Sequence, residues 1–165
     1  MEKIESFKIN HDTLQKGMYI SRIDGDIVTY DIRMKRPNMN DFLSNGTMHT
    51  FEHLFATYAR NTEFQDKIVY VGPMGCRTGF YFLVRDSISH AQALNILIES
   101  LKFIKDFSSI NTSDILKKFN LNSSSFYTCE YSLTNMQKIT DETRKQIKKL
   151  YNEVKNDNFI LITKD

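Results

Sequence analysis

Apolar and polar positions between residues 17 and 36 read as a β-hairpin. Met18, Ile20 and Ile23 are apolar on the way in, and Asp24-Gly25 is a turn signal. Ile27-Val28-Thr29-Tyr30-Asp31-Ile32-Arg33 then returns as a β-branched strand, which Pro37 stops. Asn45-Gly46-Thr47 is a loop, and Thr47 is placed to cap a helix running from about His49 to Arg60. Lys67 to Val71 and Phe80 to Val84 read as buried strands. Ser89 to Phe107 shows helical spacing at Ala93, Ile96, Leu97 and Leu101, and Asp114 to Phe119 reads as a short helix. Residues 140–155 form an amphipathic helix with Ile147, Leu150, Tyr151 and Val154 on its apolar face. Strands and helices without regular βαβ alternation predict an α+β fold: a single-domain α/β sandwich, mostly antiparallel, with its helices packed on one face.

The chain of 165 residues is one domain long, on the prior of roughly 100–200 residues per domain, so the domain is expected to span 1–165. Lys and Arg number 22 against 20 Asp and Glu, an excess too small to argue for nucleic acid or an acidic membrane surface. The apolar runs fall far short of the ~18 residues that span a bilayer, and Met1-Glu2-Lys3-Ile4-Glu5 does not resemble a secretory signal. Two cysteines are too few for a disulfide scaffold, so each is expected to be a ligand, a nucleophile or a buried apolar residue in a reducing, cytoplasmic setting. Lys145, Lys148, Lys149 and Lys155 are mixed with Asp141, Glu142, Glu153 and Asp157, which reads as a solvated face.

Candidate chemistry concentrates in His49-Thr50-Phe51-Glu52-His53. At about 100° per residue, His49, Glu52 and His53 fall within an arc of roughly 100° on a helix, with Phe51, Leu54, Phe55 and Tyr58 centred opposite. Two imidazoles at that spacing can share one divalent metal, and the carboxylate between them is placed to move protons. A second cluster is Gly72-Pro73-Met74-Gly75-Cys76-Arg77-Thr78-Gly79, which holds three of the six glycines. Such punctuation implies a tight turn with a close backbone approach, and Arg77 beside Cys76 is expected to favour the thiolate. Catalytic metal sites usually offer three protein ligands and an open position, and Cys129 or Glu130 can complete the set.

HTFEHL, GPMGCRTGFY and the later lone cysteine, with ESFKINH near the N-terminus and YDIRMKRPN after the hairpin, closely resemble the S-ribosylhomocysteine lyase (LuxS) family. The resemblance runs in order from Ser6 to Cys129. It implies cleavage of S-ribosylhomocysteine to homocysteine and 4,5-dihydroxy-2,3-pentanedione, the precursor of autoinducer-2 quorum-sensing signals, within a bacterial methyl cycle. It also implies a cytoplasmic homodimer with active sites at the subunit interface. The implied metal is Fe(II), replaceable by zinc or cobalt, held by His49, His53 and Cys129 without an organic cofactor. Cys76 and Glu52 are the implied acid/base pair. Ser6, His11, Arg33 and, more weakly, Arg60 are the implied substrate contacts, with Arg33 suited to a carboxylate. The sequence departs from the family where an aspartate and then a serine commonly precede the PMGC turn, since it has Tyr70 and Gly72. It also lacks the glycine that often follows the ligand cysteine, and His90 matches no family role. Two other readings use the same residues: an inverzincin-like metallopeptidase with His49, His53 and Glu130, and a non-enzymatic domain whose metal only stabilises the fold.

Overall fold

The computed structural model describes residues 12–107, 140–155 and, as backbone, 160–162. Strand β1 (Gly17–Asp24) turns through Gly25 into β2 (Ile27–Arg33). Gly25 has φ +59°, a left-handed conformation that a glycine adopts without a Cβ penalty. Helix α1 (Asn45–Ala59) follows, then β3 (Ile68–Pro73), β4 (Gly79–Arg85), α2 (His90–Phe107), α3 (Asp141–Lys155) and the short β5 (Ile160–Ile162). The sheet order is β3-β4-β2-β1-β5, antiparallel throughout except for the parallel β1–β5 pair. The expected α+β class and the mostly antiparallel sheet are therefore present. The segment expected to form a short helix, Asp114 to Phe119, lies outside the described residues.

Side chains alternate across the sheet, and the two faces differ in chemistry. Met18, Ile20, Val28, Tyr30, Ile32, Val71, Phe80, Phe82 and Val84 join one core with the buried faces of α1, α2 and α3. Phe51 of α1 stacks on Phe80 of β4 at 4.3 Å between ring centroids, and Phe55 meets Phe82 at 5.1 Å. Burial of such rings, at about 25 cal/mol per Å² of apolar surface, holds the helix layer on the sheet. The other face carries Tyr19, Thr29, Asp31, Arg33, Tyr70, Tyr81 and Leu83, none of which belongs to that core. Among the described residues no helix is long and apolar enough to cross a membrane.

Helix starts follow side-chain chemistry, with one correction. Ser44, not Thr47, caps α1, its hydroxyl accepting from Thr47 N at 3.1 Å. Thr47 is instead buried in the first turn and donates to Gln146 Oε1 of α3 at 2.8 Å, a contact 99 residues away in sequence. Ser89 and Gln92 form a reciprocal capping box ahead of α2, and Thr140 accepts from Thr143 N ahead of α3. Ile147, Leu150 and Val154 are buried, as the amphipathic pattern predicts, while Lys145, Lys148, Lys149 and Lys155 are exposed.

Candidate active site

Two groups of chemically capable residues stand on neighbouring elements. The first is on α1, where His49 and His53 lie one turn apart with ring centroids separated by 4.5 Å and planes at 80°. Phe51, Leu54 and Phe55 are buried against the sheet, whereas His49 is exposed and Glu52 and His53 are half-buried. The two faces of the HxxEH helix are thus divided as its spacing predicts. Burial and the neighbouring His49 both lower the pKa of His53, and Glu52 opposes them. A neutral imidazole has the lone pair that a metal needs. The paired rings and the N-donor chemistry fit a divalent cation. Among the described residues no three His, Cys, Asp or Glu side chains converge as a metal-binding group. The expected third ligand, Cys129, and its alternative, Glu130, lie outside the described residues, as do Ser6 and His11.

The second group is built on the turn between β3 and β4. Met74 N donates to Gly79 O and Arg77 N to Met74 O, each at 2.9 Å, closing a compact loop around Cys76. The Thr78 carbonyl accepts from both Met34 N and Lys35 N at 2.9 Å, and the Arg77 carbonyl accepts from Leu43 N at 3.0 Å. The turn is therefore bound to the segment that leads into the Ser44 cap of α1.

Cys76 is exposed, which sets aside the reading of a buried apolar thiol. Its sulfur lies 3.0 Å from Thr78 Oγ1 and receives Arg33 Nη1 at 3.6 Å. Arg33 Nη1 also donates to Thr78 Oγ1 at 2.8 Å, and Nη2 donates to Asp31 Oδ2 at 2.8 Å. Arg33 Nε stands 2.7 Å from Asp31 Oδ1 as an ion-pair contact. Asp31 and Arg33 are only 3% and 4% exposed, so this pair is shielded from water. Burial alone would raise the Cys76 pKa, but the Thr78 hydrogen bonds and the Arg33 charge outweigh it and hold the thiol below its ordinary value. Burial likewise opposes the Arg33 charge, and Asp31 and Cys76 more than restore it.

Here the sequence reading has the right direction and the wrong agent. The arginine acting on Cys76 is Arg33, from β2, and not the adjacent Arg77. Arg77 has φ +56°, and its guanidinium lies over the Phe42 ring, 5.3 Å from the centroid. Sequence neighbours in such a turn need not face each other.

The register explains how a buried guanidinium fits within a sheet. Arg33 pairs with Gly17 on β1 and with Gly79 on β4, so neither cross-strand neighbour has a side chain to obstruct it. Asp31 pairs with Tyr19 and Tyr81 in the next row on the same face. Asp31 and Thr78 were not singled out from the sequence. The period of two along a strand was the available signal for Asp31, since it places Asp31 and Arg33 on one face.

The remaining candidates are placed as follows. Arg60 is the exposed C-cap of α1, and its Nη2 donates to Val69 O at 3.3 Å. His90 Nδ1 hydrogen-bonds the buried Tyr30 hydroxyl at 2.6 Å on the core side of the sheet, a structural role. Tyr70 is 48% exposed, and its ring lies across the α-carbon of Gly72, in the space that a Cβ there would take. The two departures from the family pattern are therefore in contact.

A family model described as S-Ribosylhomocysteinase (LuxS) matches residues 4–155. An S-ribosylhomocysteine lyase of Clostridium acetobutylicum is 49% identical over 112 residues, covering 65% of this chain and 71% of the relative. One from Porphyromonas gingivalis is 48% identical over 112 residues, with 65% and 70% covered. One from Finegoldia magna is 36% identical over 141 residues, with 79% of this chain and 90% of the relative covered.

Proposed function

The chain belongs to the S-ribosylhomocysteinase (LuxS) family, and from that premise we propose that it cleaves S-ribosylhomocysteine to homocysteine and 4,5-dihydroxy-2,3-pentanedione. The single observation that best supports this chemistry is the exposed Cys76 sulfur held between Arg33 Nη1 and Thr78 Oγ1. A thiol biased toward thiolate is a base that works near neutral pH. The metallopeptidase reading loses its footing, because the matched family and the named relatives are lyases.

Before the thioether can leave by β-elimination, the sugar's carbonyl must migrate along the chain. Each migration takes a proton from a carbon beside the carbonyl and returns one to the neighbouring carbon. Cys76 Sγ, as thiolate, accepts the proton from carbon and then gives it back as thiol. Glu52, beside the two imidazoles, moves the corresponding proton between the oxygens. His49, His53 and Cys129 would hold the divalent cation, Fe(II) with zinc or cobalt as substitutes, which supplies Lewis acidity at the carbonyl when bound. In the final step a base takes the proton from the carbon between the migrated carbonyl and the thioether carbon, and the C–H electron pair becomes a carbon–carbon double bond. The carbon–sulfur bond breaks with its pair on the homocysteine sulfur, which takes up a proton. The enol left behind tautomerises to the dione.

Ser6 and His11 are read as closing the substrate site, and Arg60 as a peripheral contact. Arg33 is read differently from a carboxylate clamp, since its donors are directed to Asp31, Thr78 and Cys76. The second face of the sheet, with Tyr70 and Tyr81 48% and 37% exposed, supports a homodimer in which a second copy covers it. Light scattering at working concentration tests that assembly, and a monomer would exclude it.

The decisive assay is thiol release from S-ribosylhomocysteine by protein loaded anaerobically with ferrous iron. Cys76→Ala is expected to keep its metal and lose homocysteine release, whereas Cys129→Ala is expected to lose the metal first. Full turnover by Cys76→Ala, or full metal occupancy in Cys129→Ala, would remove that residue from its role.

A further inference from the structure

Arg33 can only donate hydrogen bonds, so Thr78 Oγ1, 2.8 Å from Nη1, must accept from it. That leaves the Thr78 hydroxyl proton available to the Cys76 sulfur 3.0 Å away. When Cys76 carries its proton, the second lone pair of the same hydroxyl can accept from the S–H. Thr78 therefore matches both protonation states of the thiol by turning only its hydroxyl proton. Behind it, Asp31 grips the far edge of the guanidinium through Nη2 and Nε, which aims Nη1 at Thr78 and Cys76. We propose that Asp31 and Thr78 are positioning residues for the reaction: Asp31 fixes Arg33, and Arg33 with Thr78 holds the Cys76 sulfur ready to carry a proton. The inference rests on the role given to Cys76 above and adds two residues to its machinery.

Charge alone predicts the opposite of this arrangement. An aspartate near a thiolate repels it, so Asp31 acting only through space would make the thiol harder to ionise. Its value to Cys76 lies in holding the guanidinium, and the sign of the effect separates the two possibilities. Among the described residues, the ionisable groups set against Cys76 are Arg33 from β2 and Tyr81 from β4, while Asp31 lies behind Arg33 and Tyr19 of β1 pairs with Asp31. Both tyrosines are held above their ordinary pKa, principally by burial, so they remain neutral where the thiol titrates. The Arg77 guanidinium is turned away over Phe42.

The test is the pH dependence of iodoacetamide alkylation at Cys76, read on its own peptide by mass spectrometry in the full-length protein. Thr78→Val keeps the side-chain shape and removes the hydroxyl. It is expected to raise the alkylation midpoint by about one pH unit, roughly tenfold less thiolate at a fixed pH below it. Thr78→Ser should restore the parent midpoint. Asp31→Asn should also raise the midpoint, and because it leaves a buried guanidinium half-paired, the Thr78 variants carry the test if its yield falls. In turnover, kcat should drop with the midpoint shift while KM stays within about twofold, as expected when only transition-state stabilisation is lost. An unchanged midpoint in Thr78→Val, or a lowered one in Asp31→Asn, would overturn the proposal. Failure of the lyase reading looks different: a parent that releases no homocysteine yet shows these shifts loses the reaction and keeps the relay as a property of the thiol.

Discussion

Replacing Gly79 with alanine tests whether the sheet itself sets up the site. The added Cβ would overlap the Ile32 carbonyl oxygen and lie 2.9 Å from the Ile32 carbonyl carbon and 3.2 Å from Arg33 Cα. Carbon pairs are at ease at about 3.5–4.0 Å, so β4 and β2 must part by roughly 1 Å. The obstacle is backbone in a central strand, flanked by β1 on its other side, and it cannot rotate away as a side chain would. Overpacking of this kind costs about 1–3 kcal/mol, and weakening a ladder hydrogen bond adds about 1 kcal/mol. At about 2–4 °C per kcal/mol for a chain of this size, the melting temperature should fall by roughly 5–15 °C. The sign is informative, because an unobstructed glycine-to-alanine change stabilises by about 0.4–1 kcal/mol through the unfolded chain. Because Gly79 pairs with Arg33, Cys76 should also alkylate more slowly at neutral pH. An alanine variant that melts within roughly 2 °C of the parent, in a denaturation that stays two-state, would refute the steric argument.

Two further outcomes follow from contacts described above. Gly72→Ser should destabilise on its own, because the Tyr70 ring must leave its place over residue 72, whereas Tyr70→Asp/Gly72→Ser should recover most of that loss. The coupling, about 0.5–1.5 kcal/mol in a double-mutant cycle by urea denaturation, would vanish if the two positions were independent. The Tyr30 hydroxyl is buried, and burial pushes its pKa up to about 12 from 10.0. A raised folded pKa gives stability that is complete below pH 10.0 and is lost as the pH climbs toward about 12, by about 2–3 kcal/mol in all. Tyr30→Phe should flatten that alkaline decline while giving up about 1 kcal/mol at neutral pH with the His90 hydrogen bond; an undiminished decline would assign it to other tyrosines.

Local pattern carried the hairpin, α1, α2 and α3, because period-two and period-3.6 apolar spacing is written in neighbouring residues. What escaped it was tertiary. Thr47 is a good cap by composition, but its hydroxyl is drawn to Gln146, and Ser44 caps instead. The pairing of β5 with β1 joins Ile160–Ile162 to Gly17–Tyr19, a parallel contact that no local turn announces. At the site, helical spacing and turn punctuation bring out the HxxEH helix and Cys76, while adjacency points to Arg77 as the thiol's partner. Strand register provides Arg33 instead, through two glycines that leave its flanks open. Tyr70 and Gly72 look like two separate departures in the sequence, and in space they are one.

The stacked Phe51 and Phe80 have a consequence beyond cohesion. One ring belongs to the helix that presents the imidazoles, and the other to the strand that begins just after the thiol's turn. The greasy interior thus acts as a clamp, coupling any tilt of that helix to the strand on which the turn is mounted. Trimming either fully buried ring to alanine would cost about 3–5 kcal/mol, so both elements would slacken together.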